Sequence, residues 1–258
     1  MTLGEIAKRE RVSGNRVQVA GLLRTIRRQL IRKVRQVGVI STVNHAAATL
    51  GIEFRRWVSG ARDADDPFDC KYGTDTAVIV RVGGLDIPDG KLKHANRYEA
   101  VMPGVFDVMI RELGLAHEKF FFVDIGSGKG RALLLASLFP FEGIVGIEFS
   151  ERLTRIALDN IRIFKDERQK CRSIHVICED ALSYELPPGK AVLYFYNPFD
   201  ETVMRAVAAK VEQSLRKCPR KLYVVYHRPV HRAVWDGAAG FRLLCTAGQY
   251  VLYESMAE

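Results

Sequence analysis

Apolar residues in the C-terminal two-thirds of the chain gather into short runs divided by polar turns. Phe120–Ile125, Gly143–Ser150, Ser173–Leu182, the run KAVLYFY that leads to Asn197, and Lys221–His227 are each strand-sized and rich in β-branched or aromatic residues. Continuous apolar runs of this length predict strands covered on both faces, as in a parallel sheet. Between them the period changes to three and four. Val101, Val105, Met109 and Leu113 predict a helix over Ala100–Leu115, and Arg131–Leu138 and Glu201–Leu215 carry helix formers. Phe241–Gly248 and Gln249–Glu254 predict a terminal hairpin, and Val78–Asp86 with the turn IPDG predicts an irregular linker. Strands alternating with helices predict an α/β, doubly wound sheet. Upstream, Val19, Leu23, Ile26, Leu30, Val34 and Val37 line one side of a predicted amphipathic helix over Arg16–Val37, with arginines mainly elsewhere.

The sharpest chemical signal lies at the first strand. Phe120 to Ser137 joins a buried strand, a glycine turn and a helix start without interruption. Gly126, Gly128 and Gly130 alternate with Ser127 and Lys129, and Asp124 completes Asp-x-Gly-x-Gly-x-Gly. Glycines at this spacing let the backbone take positive φ and approach a ligand closely. A dinucleotide fingerprint would need its third glycine at the position of Arg131. A Walker A loop would need Ser or Thr after Lys129, where Gly130 stands. Neither motif fits; a tight βα connection is the purely structural alternative.

Acids follow at the next strand ends. Glu148 closes the second strand, 24 residues beyond Asp124, and Glu179 and Asp180 close the third. Ligands of doubly wound sheets bind outside the carboxyl edge, so carboxylates there are placed to accept hydroxyl or amino hydrogens. An acid before Ser150 can equally cap the following helix, and acids after the third strand are ordinary caps as well. The fourth strand ends in Asn197-Pro198-Phe199 and the fifth in His227, with His231 nearby. An amide oxygen and the carbonyl of a proline-fixed turn can accept the hydrogens of an amine while a ring covers it; a plain Asn-Pro turn is the alternative.

These residues resemble the class I S-adenosylmethionine (SAM) methyltransferases. The likeness runs from about Asp69 to Tyr253 through KYGTDT, HANRYEAVMPGVFD, VDIGSGKGRALLLAS, GIEFS, LYFYNPF and VVYHRPVH. These strings are similar to an uncharacterised bacterial group, and more distantly to the non-SET lysine methyltransferases. The resemblance implies a seven-stranded sheet of order 3-2-1-4-5-7-6 with strand 7 antiparallel, and SAM as cofactor. It implies that Asp124, Gly126, Ser127, Gly128 and Gly130 face the amino-acid end of SAM, that Glu148 holds the ribose, that Glu179 and Asp180 stand at adenine with Asp180 bonding it, and that Phe149 and Ala181 also bind the cofactor. Arg97 and Tyr98 are expected over the same pocket. Asn197, Pro198, Phe199 and His227 are the expected catalytic residues, Asn197 also touching the cofactor. The Asn-Pro-Phe string resembles the Asn/Asp-Pro-Pro-Tyr/Phe motif of amino-group methyltransferases, with one proline in place of two. Ala100 also departs from the group, in which proline tends to follow soon after Arg-Tyr-Glu.

The expected reaction is methyl transfer to an amine nitrogen of a protein, such as lysine, or of a small molecule. Oxygen transfer using His227 as base, and a SAM-binding regulatory or RNA-associated role, are the alternatives. Charge bears on the last. Met1–Gly60 carries 12 Lys/Arg and 3 Asp/Glu, whereas the other residues hold 27 of each, so the net charge of +9 lies wholly at the N-terminus. A docked helix with a solvated basic face, or a surface for an anionic partner, both follow from that pattern. The chain is therefore expected to comprise a basic helical extension over 1–68 and a methyltransferase domain over 69–258. Five scattered cysteines without Cys-x-x-Cys argue against a structural zinc, so no metal is expected. No run is long enough to span a membrane and no signal core opens the chain, which predicts a cytoplasmic protein.

Overall fold

The computed structural model describes residues 66–78 and 99–257. The predicted N-terminal helix, Arg97, Tyr98 and nearly all of the predicted linker lie outside the described residues. The elements are α1 (Pro67–Tyr72), α2 (Pro103–Glu112), a 3-10 turn (His117–Lys119), β1 (Phe121–Ile125), α3 (Arg131–Ala136), β2 (Gly143–Glu148), α4 (Glu151–Ile163) and β3 (Ile174–Cys178). They continue with β4 (Ala191–Tyr196), α5 (Glu201–Lys217), β5 (Leu222–His227), α6 (Arg232–Asp236), β6 (Phe241–Ala247) and β7 (Tyr250–Ser255).

The seven strands form one sheet in the order β3-β2-β1-β4-β5-β7-β6. β7 runs antiparallel to both β5 and β6, and the other pairings are parallel. This is the order expected from the resemblance. The alternation of side chains explains why the strands are apolar throughout. Phe122, Val192, Tyr194 and Val225 enter the core on one face, which α2 and α3 cover with Phe106, Met109, Ile110 and Leu133. Val123, Leu193, Phe195 and Val224 enter the core on the other, against Met204, Val207 and Val211 of α5 and Trp235 of α6.

Two boundaries differ from the sequence expectation. The helix predicted from Ala100 begins at Pro103, because a proline favours the first helical position and pushes the residue before it out of the helical region. Met102 accordingly is extended, at φ −75° and ψ 132°. The third strand ends at Cys178 rather than Leu182, because Asp180 makes a turn: its Oδ1 accepts from the Leu182 amide and its carbonyl from Ser183. Residues 179–190 then cross to β4 with no helix, leaving His175 and Ile177 of β3 exposed while Ile174 and Val176 on the other face pack against the core. α1 runs across the expected boundary at 68/69 and buries Phe68 in the core. Among the described residues no helix is long and apolar enough to cross a membrane.

Candidate functional site

A cleft partly open to solvent lies beyond the carboxyl ends of β1, β2 and β4. Its floor is the turn after β1. Gly126, Gly128 and Gly130 take φ of 85°, 53° and 85°, and the Gly126 and Ser127 amides both donate to the Ile147 carbonyl of β2. A Cβ on Gly126 would fall 2.5 Å from Pro198 Cβ, so glycine is required there both by its backbone angle and by the proline opposite. The turn of β1 and the turn after β4 are thus in direct contact.

Glu148 closes one side. Its Oε2 accepts from the Gly128 amide and its Oε1 from the Ser150 amide, both at 2.9 Å. The alternatives open from sequence are therefore combined: the carboxylate lines the cleft and also holds the helix start, while Ser150 Oγ caps α4 by accepting from the Leu153 amide. A carboxylate has about four acceptor positions, and these bonds take one on each oxygen. Asp124 lies beside it, 3% exposed. Burial, and secondarily the Glu148 charge, push the Asp124 carboxyl well above its usual range. Two buried acids facing one cleft favour a cationic or hydroxyl-bearing ligand.

Asn197, Pro198 and Phe199 line the opposite wall with Tyr194 and Tyr196. Asn197 holds φ 43°, uncommon for a residue with a Cβ, and its Oδ1 accepts from the Tyr226 hydroxyl at 3.4 Å. His227 does not reach this wall. It pairs in register with Tyr196, stacks on that ring at 4.1 Å between centroids, and shares a 3.2 Å hydrogen bond through Nδ1 with the Tyr194 hydroxyl, at 2% exposure. Tyr194 and Tyr196 stand between it and the cleft in function if not in chain order, since they and not His227 form the lining. Phe149 lines the cleft, whereas Glu179, Asp180 and Ala181 are outside the lining. Asp180 serves its own turn, and Ala181 packs with Ile125, Tyr184 and Val207 around a smaller cavity on the other face.

Several lining residues were not expected at the site, among them Glu99 and Val101, in the irregular stretch ahead of α2. A second feature surrounds the glycine turn from behind. Lys129, 1% exposed, is held by Asp75 at 2.6 Å. Arg131 makes a forked pair with Asp66, at 2.7 and 3.1 Å, donates to Thr76 Oγ1 at 2.6 Å, and lies 4.7 Å over the Phe68 ring. Asn160 of α4 donates to the Lys129 and Asp75 carbonyls, both at 2.9 Å. Asp66 and the string KYGTDT thus hold the turn's two cations, with Arg131 among the residues that line the cleft.

SAM fits this chemistry. The glycine turn offers close approach, Ser127 has a buried hydroxyl with no partner among the described residues, and Asp124 and Glu148 complement a cationic nucleoside. No protein-family model matches the sequence, and no curated protein matches it. Solved structures do. TrmN from Thermus thermophilus is similar at 14% identity and a TM-score of 0.46, over 60% of this chain and 49% of its own. The chain thus spans about half the length of that protein. An RNA methyltransferase from Salinibacter ruber in complex with S-adenosyl-L-homocysteine is similar at 19% identity and a TM-score of 0.41, over 60% of this chain and 91% of its own. The glycopeptide N-methyltransferase MtfA is similar at 12% identity and a TM-score of 0.46, over 62% and 91% respectively. With seven strands in this order and β7 reversed, the chain has the class I, Rossmann-like methyltransferase fold.

Proposed function

We propose that this protein is a SAM-dependent methyltransferase that transfers the methyl group to an amine nitrogen. The observation that carries this reading is the meeting of three strand ends in one cleft: the glycine turn with Asp124, Glu148, and Asn197-Pro198-Phe199. When bound, SAM supplies a methyl group activated by its sulfonium. Gly126, Ser127 and Gly128 would hold the amino-acid end, Glu148 the ribose hydroxyls, and Phe149 the nucleoside's apolar side. Asp124, its carboxyl pushed well up by burial, would offer a hydrogen-bonding group beside the amino-acid end. The Asn197 amide oxygen and the Pro198 turn would accept hydrogens from the amine and leave its lone pair directed inward, while Tyr194, Tyr196 and Phe199 exclude water from that wall. Transfer to a hydroxyl with His227 as base is less well supported, because His227, turned onto Tyr194 and Tyr196, is not part of the lining.

Calorimetry with SAM and with S-adenosylhomocysteine tests the cofactor assignment, and low-micromolar binding is expected, roughly 8 kcal/mol. Incubation of cell extract with methyl-labelled SAM, followed by hydrolysis and identification of the methylated atom by mass spectrometry, tests the acceptor chemistry. Label found only as methyl ester or ether would remove the amine assignment.

A further inference from the structure

The mouth of the cleft carries a second recognition element. Glu99 and Tyr196 both line it. Arg228, the first residue after β5, reaches them: its Nη1 is 2.5 Å from Glu99 Oε2, and its guanidinium carbon is 5.8 Å from the Tyr196 ring centroid. A carboxylate beside an aromatic face is chemistry that recognises a cation. The arginine is set there by its backbone. Its φ is 48°, its amide donates to the Gln249 carbonyl at 2.6 Å, and its own carbonyl accepts from Val230 at 2.8 Å. The side chain of Arg228 is 38% exposed and that of Glu99 16%, so the cation sits on the solvent side and the carboxylate on the inner side. A partly solvated guanidinium in such a place is replaceable by another cation arriving from solvent.

We propose that Glu99 and Tyr196 form a subsite for a cationic group of the methyl acceptor, and that Arg228 occupies it in exchange with that group. The assignment of the ligand as acceptor rests on the methyltransferase reading. A carboxylate stabilises the protonated form of an amine, and a protonated amine has no lone pair to attack with. The charge held by Glu99 is therefore not the nitrogen methylated beside Asn197. The acceptor carries at least two basic groups, as a linear diamine or a peptide with adjacent basic residues does.

Calorimetry on the full chain, saturated with S-adenosylhomocysteine, tests this with 1,5-diaminopentane, N-acetyl-Lys-Lys-amide and the monoamine n-pentylamine. Arg228→Ala removes the resident guanidinium and should tighten binding of one dibasic probe about tenfold, with no comparable gain for n-pentylamine. Which dibasic probe gains identifies the source of the cation. Glu99→Gln in the Arg228→Ala background should abolish the gain, and Tyr196→Leu should reduce it, giving a second route should the Glu99 variant not fold. Equal binding of the dibasic probes to wild type and Arg228→Ala, or a gain indifferent to both Glu99 and Tyr196, would overturn the subsite. Binding of S-adenosylhomocysteine is measured on the same samples. Its loss from the wild type, with the probe pattern intact, would overturn the methyltransferase reading and leave the cation subsite standing.

Discussion

Gly126 and Pro198 approach so closely that a single added methyl on the glycine would lie 2.5 Å from the proline Cβ. The contact joins the end of β1 to the end of β4, and it sets the distance between the glycine turn and the wall formed by Asn197, Pro198 and Phe199. Gly114 provides the contrast: it too has positive φ, at 60°, but a Cβ there would meet nothing within 4 Å. Gly114→Ala should cost about 1 kcal/mol, the penalty of the backbone angle alone. Gly126→Ala adds a clash with a rigid ring and should cost about 2 to 4 kcal/mol. Urea denaturation of the two variants measures the difference, and equal losses would mean that the turn after β4 yields freely.

Glu148 bonds both the turn it faces and the helix that follows it. Glu148→Ala should weaken SAM binding by about 1.5 to 3 kcal/mol and, through the two buried amides left behind, destabilise the fold by about 1 to 3 kcal/mol. Calorimetry and denaturation on one preparation separate the effects. A stability loss with unchanged SAM affinity would leave Glu148 a helix-start residue only.

Asn197 combines an unusual backbone with a candidate chemical role, so its substitution needs a conformational control. Asn197→Gly keeps the left-handed backbone and removes the amide. It should leave SAM affinity within about 0.5 kcal/mol of wild type while lowering turnover roughly a hundredfold, the pattern of a contact made mainly in the transition state. Unaltered turnover would end the amine-positioning role.

Asp124 makes stability depend on pH in a defined direction. Its folded value is raised by burial and by Glu148, whereas the unfolded chain titrates at the ordinary value of 3.8. Between those two points the native state binds a proton that the unfolded state lacks, so stability falls as pH rises through the window. Asp124→Asn cannot lose that proton. The variant should be more stable than wild type at about pH 8 and show a flatter profile down to about pH 5. Parallel urea midpoints for the two proteins across that range would show that the carboxyl carries no such penalty.

The parts of the fold legible in sequence were those in which neighbours along the chain do the work. Strands such as Ala191–Tyr196 are apolar at every position because both faces are covered, and the glycine turn is written within seven residues. Glu148, Asn197 and Phe199 reach the cleft because a strand's end determines where the next residues stand. Pairings between distant segments left no local trace. Arg131 and Asp66 are separated by 65 positions and Arg228 and Glu99 by 129, so neither spacing nor period announces them. His227 does end a strand at the right edge, but it stands one strand beyond Tyr196 and stacks on that ring, and Tyr196 rather than His227 forms the lining.

The helix-free crossover after β3 has a dynamic consequence. With no helix in that crossover, β3 is covered by α4 on the face of Ile174 and Val176 only, while Ile177 on the other face is 36% exposed and the ladder with β2 carries much of the strand's hold on the sheet. Peeling such a strand uncovers little new apolar surface, so its amides should exchange with solvent deuterium sooner than those of β1 or β4, by local opening rather than global unfolding. The Glu179 amide donates to the Glu148 carbonyl at 3.0 Å, so each opening also loosens the backbone at Glu148. A ligand clamped by Glu148 would then slow exchange along an edge strand it never touches.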